Sequence, residues 1–245
     1  ITGRVADPSL FLAPLVHRLG WARDDWARLG AGTAVGHLLE CSMQVTGGYF
    51  ADPPHKVVPN IAQLGFPLAE VAADGSAVIT KLDGTGGLVS ELTVKEQLMY
   101  EVHDPAAYLT PDVTADFSTA RVAQAGADRV ALTGVGGRER PRQLKAIVGF
   151  DGGFLAEGEI SYAGPGAATR AQLAAKIVRE RMASVHGNTD ALRLDLIGLN
   201  ALHGTAMNGL PAHAALCTDV RLRAALRTSS RAMAENLLEE VESLW

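Results

Sequence analysis

The densest run of titratable side chains is His103-Asp104-Pro105-Ala106-Ala107-Tyr108-Leu109-Thr110-Pro111-Asp112. An imidazole, a phenol and two carboxylates stand there on a backbone stiffened by Pro105 and Pro111. Acid–base catalysis needs such a set, because proton transfer depends on fixed geometry and on a group that titrates near neutrality. His103, Asp104 and Tyr108 are therefore candidate catalytic groups. The competing reading is architectural: Asp104 caps a turn at Pro105, His103 closes the preceding helix, and Tyr108 is half-buried.

A second cluster is His37-Leu38-Leu39-Glu40-Cys41. On a helix His37 and Cys41 share one face. Such a pair can activate a thiolate or supply two metal ligands. Two ligands do not make a site, so no metal is expected, and Cys41 reads equally well as a small buried hydrophobe. Glu40, beside Thr46-Gly47-Gly48-Tyr49, is a further catalytic candidate: a carboxylate at the mouth of a cleft whose Gly47 and Gly48 backbone can approach a ligand closely. A third cluster is Gly158-Glu159-Ile160-Ser161-Tyr162-Ala163-Gly164-Pro165-Gly166, a strand ending in a Gly-rich turn that feeds a helix. Tyr162, Gly164 and Gly166 are candidate ligand-binding residues, since free amides at a helix start favour an anion such as a phosphate of coenzyme A. The pattern is neither a Walker loop nor a complete GxGxxG. Glu159 and Tyr162 stand at opposite parities of the strand, so one pocket cannot take both without a bulge.

The elements that must position these groups follow from periodicity. Residues 8–43 read as two or three helices punctuated by Pro8, Pro14 and Gly20. Residues 66–71 and 77–80 read as strands about an Asp74-Gly75 turn, and 93–102 as a helix capped by Thr93 with Glu96 three residues on. Strand-like segments 117–124, 129–133, 144–150 and 153–161 suggest an antiparallel meander. A helix over 167–185, a strand at 191–199, a His- and Gly-rich loop at 203–213, a strand at 216–226 and a last helix capped by Ser229 or Ser230 complete the chain. The expected class is α+β, or mixed α/β: helices at the N-terminal end, then the meander, then a strand–helix–strand layer. The change of texture after Pro111 places a boundary between 1–112, the remainder of an α/β domain, and 113–245, an α+β domain.

Composition narrows the function classes. The 245 residues are 47% hydrophobic and 20% charged, a globular balance, and the net charge of −5 argues against a nucleic-acid surface. Two cysteines make no disulfide framework, and no run of about 18 apolar residues suggests a membrane span, so a cytoplasmic setting is expected. The start, Ile1-Thr2-Gly3-Arg4, lacks Met and reads like the end of a buried strand, as if the chain were cut from something longer.

The strings ITGRVADPSLFLAPLVH (1–17), GHLLECSMQVTGGYF (36–50), TVKEQLMYEVHDPAAYLTPDV (93–113) and GEISYAGPGA (158–167) resemble the acyclic terpene utilisation protein A family. The resemblance implies a role in degrading acyclic terpenoids of the citronellol and geraniol type, a route that runs through branched acyl-CoA thioesters. It implies no assigned chemical step and no certain cofactor beyond the coenzyme A of the substrate. The expected activity is acid–base chemistry on such a thioester, hydration, dehydration or C–C cleavage. The alternatives are a non-catalytic subunit or acyl-CoA-binding module that supports a carboxylase or hydratase, and a metal-dependent hydrolase using His37, Cys41 and His103. The expected partner is a small acyl-CoA, with no nucleic acid and no membrane, and self-association into a homo-oligomer stays open. An enzyme of this kind is expected to bring loop 103–112 beside the 164–166 turn at one pocket.

Overall fold

The computed structural model describes residues 5–188, 190–204 and 212–245. The strand-end reading of Ile1-Thr2-Gly3-Arg4, and residues 205–211 of the His- and Gly-rich loop, lie outside the described residues. The chain divides into two compact units, Ile1–Ala146 and Ile147–Trp245. Five α-helices and three antiparallel sheets among the described residues make the fold α+β.

The first unit is organised around one helix. Helix α1 (Ser9–Leu19) ends at Gly20, which takes the left-handed conformation at φ 65°. Helix α2 (Trp26–Glu40) starts at Asp25, whose carboxylate accepts from the Arg28 amide. Every residue of α2 from Leu29 to Leu38 is buried. Two glycine seams make this possible. A Cβ on Gly36 would lie 2.5 Å from the Pro8 carbonyl oxygen, and one on Gly30 would strike the backbone of Gly136. The chain therefore passes against α2 at backbone distance on both sides.

Strands β1 (Pro67–Val71) and β2 (Ala77–Lys81) form the expected hairpin, its turn held by Asp74, which accepts from the Ser76 amide at 2.9 Å. Helix α3 (Glu91–Met99) is capped by Ser90, and Thr93 returns a hydrogen bond to the Ser90 amide. Thr93 is thus the third residue of the capping box and not its first. Strands β3 (Tyr108–Leu109), β4 (Thr114–Asp116) and β7 (Gly136–Arg138) form one sheet in that order. Strands β5 (Arg121–Gly126) and β6 (Arg129–Thr133) pair as a hairpin, and β6 continues onto β2, giving the order β1-β2-β6-β5.

This pairing carries residues 113–146 into the first unit, whereas the texture change in the sequence falls at 112/113. The strand expected at 144–150 is not formed. Leu144, Ile147, Val148 and Phe150 are 65–88% exposed there. An apolar, β-branched run has strand propensity, but propensity supplies no neighbour to pair with.

The second unit is a three-stranded sheet with two helices. Strands β8 (Phe154–Ala163), β9 (Leu192–Ile197) and β10 (Asp219–Thr228) lie in the order β8-β10-β9. Helices α4 (Ala167–Ser184) and α5 (Arg231–Glu242) contribute to the same core. The buried stripe of α4 is Ala167, Ala168, Ala171, Ala174, Ala175, Val178 and Met182, while Leu173 is 57% exposed. The stripe follows small residues because short side chains let a helix approach a sheet closely. Ser230 caps α5, accepting from the Met233 amide at 3.2 Å. The other sheet face carries charge in pairs: Arg223 bridges Glu157 and Asp195, Arg193 reaches Asp195 at 2.8 Å, and Arg221 reaches Glu159 at 3.1 Å.

The last helix, rich in glutamate from Glu235 to Glu242, buries one of its carboxylates. Glu240 is buried, and it accepts from Arg181 at 2.5 and 2.9 Å and contacts His186 Nε2 at 2.7 Å. The Arg181 hydrogen bonds hold its carboxyl below the usual range, with His186 adding to them against the cost of burial. A depressed carboxyl stabilises the fold above the ordinary Glu range and loses that stabilisation as pH falls through its lowered value. Glu240→Gln is therefore expected to cost about 1–2 kcal/mol near pH 7, since Arg181 is half exposed and screened. The difference in Tm between parent and variant should shrink progressively below about pH 4. A difference independent of pH would assign the loss to packing instead.

Candidate functional site

The C-terminal end of α2 brings His37 into the core of the first unit. The position is forced: α2 is buried from Leu29 to Leu38, so its last turn cannot carry the imidazole into solvent. His37 is 2% exposed, and its Nδ1 lies 2.9 Å from Glu40 Oε1 one turn on. Where Glu40 accepts in this contact, Nδ1 donates and Nε2 is left as the free nitrogen. The Tyr108 hydroxyl lies 3.5 Å from the same Nδ1. The imidazole also packs on the rings of Tyr108 and Phe117, at centroid distances of 5.1 and 5.9 Å. Helix α3 closes the other side: Gln97, fully buried, donates from Nε2 to the His37 carbonyl at 3.0 Å.

Four of these neighbouring side chains hold buried polar atoms that meet no partner: His37 Nε2, Glu40 Oε2, Gln44 Nε2 and Gln97 Oε1. Buried polar groups are nearly always hydrogen-bonded, and each one left alone costs about 1–3 kcal/mol. Thr33 Oγ1, within α2, is a fifth such atom, so four of the five lie toward the helix end, where a ligand's polar groups could meet them. The backbone beside it is also strained. Ser42, next to Cys41, and Glu101, next to Tyr100, adopt φ of 52° and 56°, a conformation that side chains rarely take.

The field at this end is negative. Burial first, then the charges of Glu40, Asp7, Cys41 and Glu101, push the Tyr108 phenol well above its ordinary range. Burial likewise raises the Cys41 thiol; Gln97 offsets part of the rise, and Glu40, Glu101 and Asp7 add to it. Cys41 is therefore held as a thiol, the opposite of an activated nucleophile. Asp7 and Glu101 are exposed and form a rim, while His37, Gln44 and Gln97 are buried beneath. Tyr49 and Tyr100 meet edge to face on the same rim, at 5.7 Å.

Of the residues singled out in the sequence, Glu40 and Tyr108 are thus brought together, through His37. His103 and Asp104 are exposed, and among the described residues no hydrogen bond, ion pair or ring contact joins either to Glu40 or Tyr108. Asp104 instead accepts from the Ala106 amide at 2.9 Å, closing the turn at Pro105. Gly47 and Gly48 direct their amides to Gln44 and Met43 carbonyls at 3.0 and 2.9 Å, so neither is free to hold a ligand. Gly47 is where it is because a Cβ would meet Val58 at 2.8 Å.

Tyr162, Gly164 and Gly166 belong to the second unit. Tyr162 turns inward against that unit's core and Glu159 outward, as their parity requires. The Gly164 amide donates to Thr218, and Arg170 donates to the Ala163 and Pro165 carbonyls across the turn. Reasoning from sequence passed over Gln97 and Gln44, and gave His37 only as half of a His/Cys pair. The available signal was the small-residue run around Gly30–Gly36, which marks a helix buried on all sides. Among the described residues no group of three or more His, Cys, Asp or Glu side chains could hold a metal ion, and no helix is long and apolar enough to cross a membrane.

The family model described as acyclic terpene utilisation family protein AtuA matches residues 1–245. No curated protein and no solved structure matches the chain.

The thiol environment is directly measurable. In a Cys217→Ser background, Cys41 is expected to alkylate with iodoacetamide far more slowly at pH 7 than the unfolded chain does, speeding up only above the ordinary thiol range near pH 8.5. Glu40→Gln should raise the rate. A fast burst at neutral pH would instead show a thiolate.

Proposed function

The chain belongs to the acyclic terpene utilisation family, with the role in acyclic terpene utilisation that the family name carries, and from that premise we propose that its first unit performs acid–base chemistry on a branched acyl-CoA of citronellol- or geraniol-type degradation. The observation that supports this most is the buried His37–Glu40 pair with an unpartnered Nε2. Glu40 holds the tautomer, as the orienting carboxylate does in other imidazole acid–base pairs, and Nε2 gives and takes the proton. Tyr108 and Phe117 fix the ring plane. Gln97 fixes the helix end from below. Tyr108, with its phenol held protonated, can donate a hydrogen bond and not act as a base.

The imidazole of this proposal is His37, in place of the exposed His103.

His37→Gln is expected to lower kcat on a branched acyl-CoA about 10²–10⁴-fold, the usual worth of one general acid or base. The glutamine keeps a polar group of similar size, so folding should survive, which circular dichroism and the melting curve would check. His103→Gln is the discriminating comparison. If it abolishes turnover and His37→Gln does not, the exposed loop carries the chemistry. If acyl-CoA binds to the parent chain without any turnover, the binding-module reading replaces the enzyme.

A further inference from the structure

The polarity of the site restricts which acid–base reaction it can favour. The α2 C-terminus is the negative end of a helix dipole, and Glu40, Asp7 and Glu101 lie around it. Among the described residues none of the three carboxylates pairs with a lysine or arginine; Glu40 meets only His37. Described cations on neighbouring segments are engaged elsewhere, Lys95 of α3 with Glu91 at 2.8 Å. Lys56 pairs with Glu96 at 3.2 Å and sits over the Phe50 ring, and Arg138 donates to the Ala106 carbonyl at 2.7 Å.

Acidity alone would not make a ligand site, but the buried orphans are independent of it. Glu40 Oε2, in the carboxylate, and Gln97 Oε1 only accept, while His37 Nε2 accepts in the neutral imidazole and donates once protonated. His37 is 2% and Gln97 0% exposed, so water reaches neither in bulk. A reaction that makes an enolate needs preorganised donors aimed at the developing oxyanion. Here the unsatisfied atoms are mainly acceptors in a negative field, which stabilises the opposite charge.

We propose that the reaction at this site builds positive charge on its substrate, namely loss of a hydroxyl as water from a branch-point carbon, or the reverse addition. The inference rests on the acid–base reading above and selects within it. His37, carrying a proton on both nitrogens, gives the Nε2 proton to the substrate hydroxyl. The C–O bond breaks, its electron pair leaves on oxygen, and water departs. The branch-point carbon becomes electron-poor beside Glu40, Gln97 and the negative end of α2. The adjacent C–H pair then forms the C=C bond, and its proton returns to Nε2. Alcohol becomes alkene plus water, the imidazolium is restored, and nothing is oxidised or reduced. A branched carbon suits the site because its alkyl groups support positive charge.

The test titrates the intact chain with three probes of one shape: dimethylhexylammonium, which carries a fixed positive charge in place of the branch carbon, dimethylhexyl carbinol and octanoate. Calorimetry is expected to show the ammonium ion binding about tenfold or more tighter than the alcohol, with octanoate weakest. Glu40→Gln should remove the preference. Equal affinities, or octanoate tightest, would overturn the inference. Loss of water from hydroxylated branched acyl-CoA is measured alongside. Turnover without the ammonium preference would overturn the inference and leave the acyl-CoA reading standing. The preference without turnover of any acyl-CoA would support the charge selectivity and sink the acyl-CoA reading.

Discussion

The burial of α2 on every side is the constraint from which the first unit follows. A helix can be enclosed in that way only if its surface is small or apolar where other segments cross it. Gly30 receives the backbone of β7, Gly36 receives Pro8, and Ala31 and Ala34 leave room between them. The apolar positions Leu29, Val35 and Leu38 then join Ile79, Val94, Val113, Val130 and Leu132 from α3 and both sheets in one core. Once the helix is enclosed, whatever stands in its last turn is enclosed with it. His37 is buried because of where α2 ends, and Glu40 is close because it is one turn later. The site is a consequence of the packing, held by the same contacts that hold the fold.

That arrangement is costly as a piece of folding. A valine or leucine at 37 or 97 would remove a buried orphan atom worth about 1–3 kcal/mol of destabilisation, and a small domain has only about 5–15 kcal/mol in hand. Ser42 and Glu101 add backbone strain within the same neighbourhood. Unsatisfied polar atoms and left-handed side-chain-bearing residues are each uncommon, and their coincidence at one helix end is hard to attribute to packing alone. The pairing His37–Glu40 supports the same view. A carboxylate at the last residue of a helix opposes the dipole, so Glu40 stands where local energetics disfavour it.

Local rules made much of the scaffold legible in the sequence. Asp74-Gly75 marked the β1–β2 turn, Gly20 the end of α1, and Ser230 the start of α5, because each of these signals acts within a few residues. The cap of α3 was misplaced by a turn's width, since Ser90 and Thr93 bond each other reciprocally and either can open a capping box on paper. Non-local pairing was not legible. Nothing in residues 129–133 names β2 as their neighbour, and the apolar run 144–150 has the texture of a strand with no ladder to join. The site divided along the same line. Glu40 and Tyr108 were visible as residue types, but their meeting depends on β3 returning past α2 across a sequence separation of many turns. His103 looked better than His37 because its neighbours in sequence were polar, while those of His37 are its enclosure in space.

The surroundings of His37 differ from the ion pairs that both units make elsewhere. In the second unit Glu240 has Arg181, Asp195 has Arg193 and Arg223, Glu157 has Arg223, and Glu159 has Arg221. Arginine forks satisfy both oxygens of a carboxylate, so these pairs close the local accounting of hydrogen bonds and charge. The first unit uses arginine in the same way for Asp25, with Arg28, and for Glu70, with Arg129. Around His37 it does not: Glu40 keeps one oxygen without a partner, and Asp7 and Glu101 form no ion pair among the described residues. Two exposed acids and one partly buried one therefore stand around the buried imidazole without a lysine or arginine partner among the described residues. The thiol of Cys41 and the phenol of Tyr108 are held protonated first by burial, with the neighbouring carboxylates adding to it. Positive charge, delivered on a ligand or generated during a reaction, would relieve the repulsion among these carboxylates.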